Sequence, residues 1–239
     1  MRIAMWSGPR NLSTAMMYSF GARPDCAVVD EPFYAAYLQM TGLDHPMRDD
    51  ILDSQSRDPG KVARDLVGPV PGGRPHWYQK HMTQHMIPGV PRDWMAEVVN
   101  VFLIRHPARV IASYAQKREA PVLDDIGFRQ QAELFDQVVA MGQRPVVIDS
   151  ADIRTSPETA LRALCDAIGL AWSERMLSWP SGGHDDDGVW APVWYGAVHR
   201  STGFAGPEGD LPVLHGAYAE LLDEAMPFYQ KMLPHSLLA

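Results

Sequence analysis

The sequence predicts a three-layer α/β fold, with helices on both faces of a mostly parallel central sheet of about five strands. Three observations predict it. Short apolar runs recur along the chain, each closed by a polar turn and followed by a segment of helical periodicity. Several runs, Val98 to Ile104 above all with Asn100 as its one polar residue, are nearly continuous apolar stretches rather than alternating, as strands covered on both faces are. Finally, 239 residues with 46% hydrophobic and 21% charged side chains are enough to bury one sizeable core. Residues 1–239 are therefore read as one domain.

Arg2 to Trp6 is the first strand, ending at Ser7-Gly8-Pro9, and Leu12 to Phe20 follows as a helix in which Ala15, Met16 and Met17 are good formers. The second strand, Ala27 to Asp30, stops at Asp30-Glu31-Pro32, because proline brings no N–H to a ladder; a helix over Phe33 to Met40 follows. Thr41 to Pro75 is polar and rich in Gly, Pro and Asp, an exposed excursion (41–75) with a weak helix at Val62 to Val67. His76 to Lys80 reads as a strand. Val98 to Ile104 is the next, leading through Arg105-His106-Pro107 into a helix from Ala108 to Gln116. Phe128, Ala132, Phe135, Val138 and Val139 set the period of a helix over Ile126 to Met141, and Pro145 to Ile148 is the fifth strand. Ser156-Pro157 caps a helix over Glu158 to Ile168 that Gly169 closes. A second excursion (178–212) is dense in Gly, Pro, Asp and Trp, and His215 to Met232 is a last amphipathic helix. Within that excursion His184-Asp185-Asp186-Asp187 reads as a solvated acidic loop.

A net charge of −8 excludes broad electrostatic attraction to nucleic acid or to anionic lipid, so any anion site must be local. No apolar run approaches the roughly 20 residues that cross a bilayer, and the N-terminus shows no signal-peptide pattern. A cytoplasmic protein without membrane or nucleic-acid partners is expected. Cys26 and Cys165 lie far apart without metal-ligand spacing and read as small buried apolar groups.

Ligands of such sheets bind at the carboxyl ends of the strands, here Ser7 to Thr14, Asp30-Glu31, Lys80-His81 and Arg105-His106. The first joins a strand to a helix, so its N–H groups and the positive helix end face an anion, and Arg10, Ser13 and Thr14 add donors. It lacks the Gly-Lys of a Walker A loop. Read by itself, the segment is either a phosphate cradle or an ordinary turn capped by Asn11 or Ser13. Read by themselves, Arg105 and Ser113, eight residues apart, either close on one phosphate from a turn and a helix face or are a surface arginine and a buried serine bonded to its own helix carbonyl.

Pro9-Arg10-Asn11-Leu12-Ser13-Thr14 resembles the P-R-S-G-T-T loop of sulfotransferases, and Arg105-His106-Pro107 through Ser113-Tyr114 resembles their R-D-P-x-x-x-x-x-S-Y segment. Val146 to Ile153 and Pro157 to Cys165 are similar to that family's next strand and the helix after it. The resemblance covers Ile3 to Leu170 in order. It departs at Leu12, where the family has glycine, and at His106 and Ala151, which replace an aspartate and a glutamate expected to be structural.

The resemblance implies a P-loop-like fold and 3′-phosphoadenosine 5′-phosphosulfate as sulfuryl donor, with a hydroxyl or amine of a small molecule as acceptor. Gly8, Pro9, Arg10, Asn11, Ser13 and Thr14 would surround the 5′-phosphosulfate, with Arg10 also stabilising charge during transfer. Arg105 and Ser113 would take the 3′-phosphate, and Arg200, Ser201 and Thr202 would close over the nucleotide. Glu31 is the first choice of base, Asp30 a substitute and His81 the rival, since Lys80-His81 resembles a K-x-H motif lacking its middle residue. No metal is expected, although His81 and His85 lie four apart. Phe33, Tyr34, Tyr37, Trp77 and Tyr78 are candidates for the acceptor pocket. Two alternatives stay open: a nucleotide-binding module without transfer, and a nucleotide-dependent kinase or phosphotransferase. Oligomeric state is not readable from the sequence.

Overall fold

The computed structural model describes residues 1–116 and 120–238. Five strands form one sheet in the order β2-β3-β1-β4-β5, every neighbouring pair parallel: β1 Arg2–Ser7, β2 Cys26–Asp30, β3 His76–Met82, β4 Val99–Ile104 and β5 Val146–Asp149. The chain leaves central β1 toward one edge for β2 and β3, then crosses to the other for β4 and β5. Side chains of β1 alternate between two cores, Ile3 and Met5 facing one and Ala4 and Trp6 the other. That two-sided burial is why the strand reads as a continuous apolar run.

The helices are α1 Ser13–Gly21, α2 Tyr34–Thr41, α3 Arg48–Ser54, α4 Pro59–Leu66, α5 Pro107–Ala115, α6 Leu123–Ile126, α7 Phe128–Ala140, α8 Ser150–Thr155, α9 Pro157–Ile168, α10 Ala191–Trp194, α11 Gly196–His199 and α12 Ala217–Met232. On one face α1 and α9 bury Met16, Phe20, Leu161 and Leu164 against the sheet; on the other α4, α5, α7 and α12 bury Leu66, Ile111, Phe135 and Leu221. Local signals bound these helices, and of the following three Gly169 is the one expected from the sequence. Asp58 accepts from Gly60 N at 2.8 Å at the start of α4, Asp149 accepts from Ala151 N at 2.8 Å before α8, and Gly169 closes α9 with φ 71°.

Three expectations need correction. The helix predicted from Ile126 is broken at Gly127 (φ 71°), where an added Cβ would come within 2.5 Å of Thr83 Oγ1. Strand β3 runs two residues further than predicted, to Met82, so His81 belongs to the ladder. The excursions are not free surface: Tyr34, Leu38, Ile51 and Leu52 bury against Trp190, Ala191 and Tyr195, so the two stretches pack on each other over the carboxyl end of the sheet. Among the described residues no helix is long and apolar enough to cross a membrane.

Candidate functional site

A cavity of about 410 Å³ opens where these excursions meet the carboxyl ends of the strands. Pro9 to Ala15 form one side of it, Arg105 and Ser113 join them, and Glu31, Lys80 and the aromatic side chains of the excursions form the other. Four strands thus deliver one residue group each to a single crevice.

The turn after β1 is pinned from below. Asn11 Nδ2 donates to Leu103 O at 2.6 Å, and Gln131 Nε2 donates to both Trp6 O (3.0 Å) and Leu103 O (2.9 Å). Arg10 and Leu12 hold left-handed backbone, φ 59° and 61°, and Leu12 is the residue that starts α1. The glycine that the resembled loop carries at this position would adopt that conformation freely; leucine does so under strain. Ser13 and Thr14 form the first turn of α1 and line the cavity, so the helix's unpaired N–H groups point into it. Gly8 does not line it. A Cβ there would lie 2.4 Å from Ile126 O, so the glycine serves the close approach of α6.

Arg10 Nε donates to Ser113 Oγ at 2.9 Å, while Arg105 donates to Arg10 O and to the Glu208 carboxylate. Burial, and then the charge of Arg105, lower the pKa of Arg10, as two guanidiniums crowded into one corner require. His106 caps α5, its Nδ1 accepting from Ala108 N at 3.2 Å.

At the opposite end Glu31 follows β2 with φ 40°. Lys80 Nζ donates to Glu31 Oε1 at 2.7 Å, to Asp30 Oδ1 at 2.8 Å and to Tyr195 Oη at 2.6 Å. Tyr195 in turn donates to Asp30 Oδ2 at 2.7 Å and accepts from Trp190 Nε1 at 2.8 Å. Burial alone would lower the pKa of Lys80, but the two carboxylates hold it above the ordinary value; for Asp30, burial and the negative charge of Glu31 outweigh the ammonium and leave its pKa raised. Asp30 is spent on this network and does not line the cavity, whereas Glu31 lines it at this end and Asp125 elsewhere on its wall.

His81 is not in the site. Side chains alternate along a strand, so Lys80 and its neighbour cannot face one crevice. Lys80 points to the cavity, and the His81 ring stacks on Trp6 (centroids 4.5 Å apart) beside Trp94 in the core, its pKa pushed down to about 3 by burial. Besides His45, the histidine that does line the cavity is His85, which the sequence noted only for its four-residue spacing from His81. Its ring lies between Tyr34 and Tyr37 (4.7 and 4.8 Å), with Nε2 3.9 Å from Glu31 Oε2. Burial holds its pKa well below the usual value, so it faces Glu31 as a neutral ring. Among the described residues no group of three His, Cys, Asp or Glu side chains is arranged to hold a metal ion.

Other placements also differ from expectation. Of the five aromatic residues proposed for the acceptor pocket, Tyr34 and Tyr37 line it, whereas Phe33, Trp77 and Tyr78 belong to the cores. Arg200 and Thr202 are exposed and outside the cavity. Ser201 lines it, but its Oγ donates to Val198 O at 2.7 Å and accepts from Trp179 Nε1 at 3.2 Å. Asp187 is not part of a solvated acidic loop, since its carboxylate accepts from Tyr18 Oη at 2.6 Å and lies 3.0 Å from His199 Nε2. Trp190, Trp194 and Tyr195 reach the site from a segment without periodicity, and only their density in the sequence hinted at it.

The pattern of the sulfotransferase domain matches residues 1–236. The chain belongs to the sulfotransferase-domain family. Its backbone superimposes on the sulfotransferase domain from the curacin biosynthetic pathway (TM-score 0.51, 14% identity, 97% of this chain and 96% of that one). It also superimposes on a sulfotransferase from Alicyclobacillus acidocaldarius (TM-score 0.52, 12% identity, 98% and 95%). At such identities these likenesses speak for the fold, the P-loop-like α/β architecture of this family. In sequence the chain is similar to two Arabidopsis thaliana proteins named branched-chain-amino-acid aminotransferase-like protein 1 and 2, at 36% and 35% identity over 98% of this chain. The sulfotransferase-family chain spans only 42% and 41% of the length of those relatives.

Proposed function

We propose that this chain transfers a sulfuryl group from 3′-phosphoadenosine 5′-phosphosulfate to a hydroxyl or amine of a small acceptor. The observation that carries the reading is that Arg10, Glu31 and Arg105 line one cavity, cations and helix N–H groups at one end and a carboxylate among aromatic rings at the other. The donor's phosphosulfate fits the first end. Sulfuryl transfer breaks the bond between sulfur and the bridging oxygen as the acceptor atom approaches in line, and negative charge builds on the phosphate left behind. Arg10 and the N-terminal N–H groups of α1 stabilise that charge.

Glu31 takes the proton that the acceptor loses, and Lys80, held between Glu31 and Asp30, orients the carboxylate. Arg105 and Ser113 are assigned to the 3′-phosphate, and Tyr34, Tyr37 and Trp194 to the acceptor's body. Calorimetric titration with adenosine 3′,5′-bisphosphate against 5′-AMP tests the donor half; wild type should prefer the bisphosphate and Arg105→Ala should lose the preference. Turnover tests the other half. Glu31→Gln should lower it by about 10²–10⁴-fold with bisphosphate affinity unchanged. Binding without turnover in wild type, over a broad panel of alcohols and amines, would reduce the protein to a nucleotide-binding module.

A further inference from the structure

Glu208 sits where three guanidiniums converge. Its Oε1 accepts from Arg105 and lies 2.7 Å from Arg154 Nη1, and its Oε2 lies 3.4 Å from Arg109 Nε. The same arginines clamp the backbone around it: Arg154 Nε donates to Gly206 O at 2.8 Å, and Arg109 donates to Gly209 O. Every residue from 205 to 211 except Glu208 is exposed, so ion pairs rather than apolar burial hold this strap down.

The carboxylate is a poor match for its surroundings. One oxygen carries two guanidiniums while Oε2 is buried without a hydrogen bond. Three positive charges meet one negative; a phosphate monoester dianion in place of the carboxylate would neutralise two of them rather than one, and its three terminal oxygens offer one to each arginine. Asp149, near enough to feel the Glu208 charge, is committed to Tyr229 Oη and Ala151 N. Arg105 also lines the cavity, so the cluster is continuous with it.

We propose that Arg105, Arg109 and Arg154 form a seat for a phosphate monoester, and that Glu208 fills this seat in the unliganded chain and leaves with the 205–212 strap when the phosphate enters. This rests on the donor reading above and adds to it two binding residues, Arg109 and Arg154, and an internal competitor.

The test follows amide hydrogen exchange across 205–212 with adenosine 3′,5′-bisphosphate and, separately, with inorganic phosphate, together with titration of wild type and Glu208→Gln. Bisphosphate should speed exchange of the strap, and Glu208→Gln should bind it about tenfold more tightly, the gain if the strap is closed about nine-tenths of the time. Arg154→Lys, which keeps the charge but loses the fork, should weaken bisphosphate binding and leave 5′-AMP unaffected. Bisphosphate binding with strap exchange unchanged and no gain in Glu208→Gln overturns the proposal while the donor reading stands. Opening by inorganic phosphate without any binding of bisphosphate keeps the seat and removes the donor reading. Exchange unmoved by either probe overturns seat and competitor together.

Discussion

Arg10, Leu12 and Glu31 hold left-handed backbone at the cavity without being glycine. Such a conformation costs each of them about 1–2 kcal/mol, which the surrounding hydrogen bonds and packing must cover. Leu12→Gly removes the strain at one of these positions, so its stability by urea unfolding should stay level or rise, whereas Ala15→Gly, at the third residue of α1, should lose about 1 kcal/mol. Equal losses in the two variants would mean that Leu12 is not strained. His81 carries a second consequence of single-residue environment. Its folded pKa of about 3 lies below the value near 6.5 that it has when unfolded, so the unfolded state binds the extra proton. Stability from this group is full above about pH 6.5 and falls by about 1.4 kcal/mol per unit as the pH drops toward 3. His81→Phe should flatten the decline between pH 6 and 5 in denaturant titrations. An unchanged slope would assign the decline to other groups.

Elements were legible wherever burial is two-sided or a cap is local. Strands β1 and β4 are apolar but for Arg2, Ser7 and Asn100, and α9 begins on Ser156-Pro157 and ends on Gly169, so each could be read from a window of a few residues. The same holds for Arg10, Glu31 and Arg105, because each closes a strand and the carboxyl ends of a parallel sheet converge. What stayed hidden depends on partners distant in sequence. Tyr195 bonds Asp30 across 165 positions, and His85 reaches Glu31 through a turn without periodicity. The extension of β3 by two residues, which moved His81 into the core, could not be read from residues that suit a turn as well as a strand. Between elements, the β1–α1 turn lies close against the end of α6. Gly8→Ala would place a methyl group 2.4 Å from Ile126 O, and backbone must yield. A loss of about 1–3 kcal/mol in urea unfolding is expected; an unchanged midpoint would show that α6 moves aside freely.

Over the whole molecule, a chain of net charge −8 concentrates Arg10, Arg105, Arg109 and Arg154 around one end of its cavity. Attraction of any anion to that end is therefore local and set by geometry rather than by overall charge. The cavity wall also gathers segments from almost the entire chain, from the turn after β1 to Ser201 and Ala205, with the packed excursions between them. A ligand bound there touches the sheet, α1, α5 and both excursions, so unfolding any of them releases it. Bound nucleotide should then stabilise the protein as one unit, by about 2.7 kcal/mol at about 100-fold excess over the dissociation constant. For a chain of this size that corresponds to a rise in Tm of about 5–11 °C. Thermal melts with adenosine 3′,5′-bisphosphate and with 5′-AMP at matched concentrations measure it, and the bisphosphate should give the larger shift in a single transition. Equal shifts would remove the 3′-phosphate from the contacts that Arg105 and Ser113 are assigned. A shift confined to one of two separate transitions would mean that the excursions fold apart from the sheet they cover.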